Sequence, residues 1–350
     1  MDATPAPPAS PAWRRRRVLV AAAVLLAGLG GGGVWAIGTL TEPCPGAPLS
    51  VTVAVEPEIA PPLREIADRF ETARHRVTGR CVTVRITAAD AATTARALGR
   101  GDSDVDAWVP ESTNRLTEAR RAGPGGSDVP PDGPSLAGSP VVFATTRPAA
   151  DDLRAARVRP SWRLLLSDHA GGLWVAHRML DPAVDTTGTF AMAALDQVAN
   201  PGRAAVAELR RTAPKGVAPL FAELTGVDRF GRPLLVTSEQ TMVNHNLAHR
   251  PNPAVALVPH EGTLMLDYPL AVVAKDPQRR EAVDAFLSAA RSRSSRITLQ
   301  RYGFRAPDGT IGASQARRLG LDPAAPKPLK LPTRKELDRA AASWRVSAPR

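Results

Sequence analysis

The chain has 350 residues, 43% hydrophobic and 4% aromatic, with a formal net charge of +11. That length carries one two-lobed domain or two smaller ones, and its Gly and Pro show no period, which excludes a collagen or a repeat array. Outside one Arg run the basic residues are scattered and not interleaved with aromatics, which excludes a nucleic-acid-binding platform; a basic body facing an anionic membrane or wall polymer is the milder implication.

Residues 1–17 read as a disordered Pro- and Ala-rich tail ending in Arg14–Arg17. The next 23 residues, 18–40, "VLVAAAVLLAGLGGGGVWAIGTL", carry no charge, and that length crosses a bilayer core at the helical rise. Positive charge on the N-terminal side places the tail in the cytoplasm and the main domain outside the cell membrane, as a single-pass anchor. A cleaved signal peptide, with Val34-Trp35-Ala36 as the processing site, is the alternative. Gly28, Gly30 and Gly33 fit a dinucleotide-binding spacing, but inside an apolar span with no preceding strand that pattern fails. The two cysteines, Cys44 and Cys81, lie on the outer side, where an even pair most simply forms a disulfide. Such a bond closes a loop of roughly forty residues and contributes about 3.5–4 kcal/mol in the chain-entropy model. Thr41-Glu42-Pro43 before Cys44 is not the small apolar run of a lipoprotein signal.

The folded body starts near Pro48. Residues 49–55 and 81–87 are β-branched, alternating strands. Between them, Ile59, Leu63, Ile66, Ala67 and Phe70 recur at helical spacing over 59–74, with Pro61 and Pro62 tolerated in the first turn. Residues 90–101 form a helix with Asp90 as N-cap and Gly99 or Gly101 as its end. Residues 105–112 are a third strand. Strand and helix alternate in the manner of a parallel α/β layer, with ligand loops at the strands' carboxyl ends. Further strands are expected at 139–146, 172–177, 254–262 and 266–276. Helices are expected at 162–168, 188–200, following "LLV" within 234–250, over most of 278–304, and near 333–344 in the Pro-rich tail.

"LDYPLAVVAKDPQRREAVDAFLSAARSRSSRITLQRYGFR", "VTVAV", "PPLREIADRFE", "DVDAWVP" and "MLDPAVDTTGTFAMAAL" resemble, in order and spacing, the type II extracellular solute-binding proteins. The resemblance covers roughly residues 49–305. The chain also resembles the membrane-anchored binding part of von Willebrand A domain-containing proteins. It has no Asp-x-Ser-x-Ser motif, so that domain is expected to be absent. The resemblance implies a two-lobed type II periplasmic-binding-protein fold with two hinge strands, here preceded by the transmembrane helix. Residues 48–140 plus 268–305 are expected to form lobe 1 and residues 141–266 lobe 2. Residues 306–350 would be an extension with one helix. The lobes of such folds close on a ligand by hinge motion.

Positions matched to the family's cleft are Glu56, Glu58, Ile59, Asp90, Ala91, Glu111, Ser112, Ser139, Thr187, Thr189, Ser238, Glu239 and Tyr268. Oxyanion binders of this group place small hydroxyl residues at the first of these positions; here Glu56, Glu58 and Asp90 stand there. Carboxylates beside a helix N-terminus compete with an anionic ligand for the same N–H groups. An amine, a cation or a polyol is therefore expected over molybdate, sulfate or phosphate.

Other motifs carry less. Asp102, Asp104 and Asp106 begin like an EF-hand loop, but Ala107 and Thr113 stand where Gly and Glu are required. Trp108, Trp162 and Trp174 read as core filling rather than stacking platforms. In "VTSEQTMVNHNLAHR" (236–250), Thr237 and Gln240 match a capping box. His245 and His249 share a helix face, but Asn246 replaces the Glu of a zinc hydrolase. Ser238 lies seven residues from His245, too far along a helix for a nucleophile pair. The expected function is capture of a small polar solute, with no cofactor, no metal and no catalysis, for an ABC transporter permease or another envelope protein. An adhesion or signalling module without a transported ligand is the alternative.

Overall fold

Strands β1 (Leu49–Val55), β3 (Arg80–Ala88) and β4 (Ala107–Val109) form the parallel centre of a first sheet in a computed structural model that describes residues 46–225, 231–249 and 253–346. Val51, Val53 and Val55, which point to one face of β1, are fully buried. Helix α1 (Ala60–Thr72) follows β1 and hairpin strand β2 (Arg76–Val77) precedes β3; α2 (Ala91–Arg100) and α3 (Thr113–Arg121) follow β3 and β4. Asp90 caps α2 by accepting from Thr93 N–H at 2.7 Å, and Gly101 ends it in the left-handed region at φ 80°, as composition implies.

The chain then enters a second sheet through β5 (Ser139–Thr145). Helix α4 (Arg147–Ala155), β6 (His169–Ala170), β7 (Leu173–Arg178), α5 (Thr186–Val198), α6 (Arg203–Arg211), α7 (Val217–Ala222), β8 (Arg232–Ser238), α8 (Glu239–Ala248), β9 (Val255–Leu257) and β10 (Met265–Leu266) follow. The sheet order is β10-β5-β8-β7-β6, with β9 also pairing β5. The chain returns to the first sheet as β11 (Ala271–Val272), antiparallel to β4. Helices α9 (Pro277–Ala290), α10 (Arg293–Arg301), α11 (Ala313–Leu319) and α12 (Arg334–Val346) complete it. The result is a mixed α/β, two-lobed fold.

Residues 48–350 form one unit; residues 1–47 form another, of which only 46 and 47 are described. The apolar run 18–40 and Cys44 lie outside the described residues. Among the described residues no helix is long and apolar enough to cross a membrane. Cys81 is buried and is not a free thiol.

Packing explains how the chain re-enters the first layer. Phe286 of α9 meets Phe70 of α1 edge-on, with ring centroids 5.7 Å apart. Burying each such ring contributes about 1.5–3 kcal/mol. In the second layer Phe143 packs edge-on against Trp162 at 5.2 Å, and the Trp162 indole N–H donates to the Gly262 carbonyl at 2.9 Å. Trp108 and Trp162 are fully buried, whereas Trp174 is 47% exposed.

Four expectations need correction. The single strand at 266–276 is two short strands, because Tyr268 takes a left-handed φ of 38° and Pro269 follows it, which stops a ladder. The helix over 278–304 is broken where Ser292 caps a new one. The extension carries two helices rather than one. The capping box is shifted: Thr237 still pairs in the sheet with Val142, and Ser238 is the N-cap, accepting from Thr241 N–H at 3.0 Å.

Candidate ligand cleft between the lobes

The ends of β1 and β4 and the starts of α2, α3 and α5 converge on a cavity of about 110 Å³. Each start is built by a capping carboxylate or hydroxyl, so polar side chains cluster where the backbone turns inward. Directly after β1, Glu56 turns so that its carboxylate accepts from Ala91 N–H at 3.1 Å, at the first residue of α2. Asp90 and Asp185 cap α2 and α5; Asp185 accepts from Gly188 N–H at 3.0 Å and from the Thr187 hydroxyl. Gly188 is required by contact: a Cβ there would stand 2.3 Å from the Leu180 carbonyl oxygen.

Glu111 and Arg115 stand one turn apart at the start of α3. Arg115 Nε donates to Glu111 Oε1 at 2.7 Å, its Nη1 to Glu118 Oε2 at 2.8 Å, and its Nη2 across the cleft to the Val184 carbonyl at 3.2 Å. Thr186 also donates to Glu111 Oε1, whereas Glu111 Oε2 has no partner. Glu58 accepts from Thr241 of α8 and from the Tyr268 hydroxyl at 3.0 Å. The lobes are thus bridged directly, mainly by carboxylates of the first accepting from hydroxyls of the second.

This crowding shifts the acids. Burial, followed by the charges of Glu111, Glu58 and Asp90, pushes Glu56 up to about 9, against the opposing Ala91 N–H. Burial likewise raises Glu58 to about 6, although the Thr241 and Tyr268 hydroxyls favour its charged form. Burial works to raise Asp90, but the Thr93 hydroxyl and N–H outweigh it and hold it below the usual range. Tyr268 is pushed up by burial and by Glu58. Arg115 is raised: burial opposes its charge, and Glu111 and Glu118 overcome that.

Of the residues expected from sequence, Glu56, Glu58, Asp90, Ala91, Glu111 and Thr187 line this cavity together. Tyr268 supports it from behind through Glu58. Ile59 is buried in the core. Ser112 caps α3 and lines a separate cavity of about 360 Å³ beside Asp267, Phe190 and Leu337. Ser139 accepts from Gln240 N–H at 3.0 Å, and Thr189 donates to the Pro182 carbonyl at 2.7 Å. Ser238 is spent on its cap. Glu239 is buried against Arg305, with Nε–Oε2 at 2.5 Å and Nη2–Oε1 at 2.9 Å. Sequence reasoning missed Arg115, Asp185 and Thr241. Two signals were present: the i, i+4 spacing in "ESTNR" and the Asp185-x-x-Gly188 cap.

The remaining motifs disperse. Asp106 is buried, accepts from Thr52 N–H at 2.8 Å and faces Arg279 at 3.2 Å, while Asp102 pairs with Arg100 at 2.8 Å. His245 stacks between Phe221 (4.4 Å) and His249 (4.2 Å). Among the described residues no three His, Cys, Asp or Glu side chains converge as metal ligands.

The family model for bacterial extracellular solute-binding proteins matches residues 51–305. The chain belongs to that family. An uncharacterized protein of Mycobacterium tuberculosis is 25% identical, over 77% of this chain and 44% of its own length, so the chain spans less than half of that relative. Among solved structures, a periplasmic thiamin binding protein superposes with a TM-score of 0.62 at 15% identity, covering 87% of this chain and 98% of that one. Iron-bound HitA from Pseudomonas aeruginosa gives 0.61 at 16%, covering 86% and 100%. These likenesses show the fold.

Proposed function

We propose that this chain is a membrane-tethered, extracytoplasmic solute-binding protein that captures a small polar solute between its lobes and delivers it to an ABC-type transporter. The carrying observation is the cavity lining: Glu56, Glu58, Asp90, Glu111 and Asp185 face one guanidinium, Arg115. The N–H groups that an oxyanion would use at α2 and α5 are already taken by Glu56, Asp90 and Asp185, so the ligand is an amine, a cation or a polyol. The uncharged run 18–40 behind Arg14–Arg17 supports the tether, and the two cysteines support a Cys44–Cys81 disulfide outside the cell. The resemblance to the anchored binding part of von Willebrand A proteins belongs to the same reading.

A second reading has its own observation. Direct bonds from Glu111 to Thr186, Glu58 to Thr241 and Arg115 to Val184 hold the lobes together. A cleft held this way suits an envelope adhesion or signalling module with no transported ligand. Thermal-shift measurement on the purified full chain separates the two, because a ligand that binds only the folded state raises its stability. Amines or polyols raising Tm while sulfate, phosphate and molybdate do not is the expected result. Stabilisation by an oxyanion, or by nothing in the panel, overturns the reading.

A further inference from the structure

Glu111 carries an oxygen the fold does not use. The residue is 8% exposed and lines the cavity, its Oε1 serves Arg115 and Thr186, and its Oε2 meets no donor. A buried carboxylate oxygen without a donor is the group a cationic ligand satisfies. Arg115 does not neutralise the surroundings, because it is shared with Glu118 outside the lining.

The lining is also partly aliphatic. Leu180, Val184 and Val217 belong to it, and Val184 is 66% and Val217 42% exposed. Carboxylates together with methyl groups fit an ion with an alkyl body. A metal ion gains nothing from valines, and no ligand triad is present among the described residues. A neutral polyol leaves the charge unanswered. The cavity is small, about 110 Å³, so the charged head it takes is small.

We propose that the cleft selects a small organic ammonium ion, its N–H groups donating to Glu111 and its alkyl part lying on Val184 and Val217. This rests on the solute-binding reading above. It carries a consequence that neutral ligands do not share. Glu56 meets the charges of Glu111 just before α3, Glu58 on its own turn and Asp90 at the α2 cap, shares the cavity with Arg115 of α3 and Asp185 at the α5 cap, and interacts with the Tyr268 hydroxyl. Held up to about 9, Glu56 keeps its proton at neutral pH. A cation beside it favours the ionised form, so binding expels a proton and affinity rises with pH through the neutral range.

Isothermal titration of the full chain with ethylammonium, ethanolammonium, glycerol and sulfate, in two buffers of different ionisation enthalpy near pH 7.5, is the test. The expected result is that an ammonium ion binds and releases a substantial fraction of one proton per site. Glu111→Gln should weaken it by tenfold or more. Val184→Ala, at an exposed position that leaves folding intact, should shift preference toward shorter alkyl chains by a few-fold. If glycerol binds and the ammonium ions do not, the ammonium class is wrong and the solute-binding reading stands; if sulfate binds, both the ammonium class and the non-oxyanion reading are overturned. Ammonium binding undiminished in Glu111→Gln also overturns the assignment. No heat and no Tm shift with any solute removes the solute-binding reading itself.

Discussion

Two glutamates at helix starts, Glu111 before α3 and Glu239 opening α8, have opposite fates. Glu239 is 1% exposed and gripped through both oxygens by Arg305, itself 1% exposed. Arg305 also donates to the carbonyls of Gly309 (3.0 Å), Asp322 (2.8 Å) and Ala324 (2.9 Å). All three Arg305 nitrogens and both Glu239 oxygens have partners, and the arrangement staples the extension to the second lobe. Glu111 keeps an unpartnered oxygen beside a cavity and shares its arginine with Glu118. A saturated carboxylate is structural; an unsaturated one beside a cavity is available to a ligand.

The largest expected effect lies on the saturated side. Arg305→Ala strands a buried carboxylate, and unfolding by urea should register a loss of about 3–5 kcal/mol; a loss below about 1 kcal/mol would break the contrast. On the cleft side the sign reverses. The folded chain raises Glu56 from 4.5 to about 9 and Glu58 to about 6. The stability this gives is fully present below pH 4.5 and is lost as pH climbs toward those folded-state values. Glu56→Gln should therefore be more stable than the parent above about pH 5, by on the order of 1–3 kcal/mol near pH 8. Denaturation curves of both proteins across pH measure this, and an advantage over the parent no larger at pH 8 than at pH 4 would count against it. Ser238→Ala removes only the α8 cap and should cost about 1 kcal/mol. Smallest is the exposed pair Arg121–Asp338 at 3.8 Å, where a double-mutant cycle should give under about 0.5 kcal/mol. A larger coupling would show that surface pairs rival the buried one.

Strand and helix order was legible because each element carries its own period. β-branched alternation marked β1 and β3, and Asp90 and Gly101 bounded α2. Helices α3, α4, α6, α7 and α11 were missed. They are short, and α3 and α4 are polar or Ala-rich, so packing rather than pattern defines them. Glu56, Glu58, Asp90 and Glu111 were reached because the resemblance to the solute-binding family gives the order of its cleft positions along the chain. The fate of Glu239 could not be read, because its partner Arg305 lies 66 residues away. Arg115 was missed for a nearer reason: its i, i+4 pairing with Glu111 looks the same in sequence whether solvated or buried.

The central claim, that the interlobe cleft takes a small polar solute that is not an oxyanion, is tested most directly by identifying what the protein retains. The full chain purified from its native host without denaturation would be analysed by native mass spectrometry, and its ligand-bound crystal structure determined. The account expects a small amine or other non-anionic solute with its polar end against Glu111 and Glu58. An oxyanion in that cleft, or a solute bound elsewhere with Glu111 and Glu58 untouched, would contradict it.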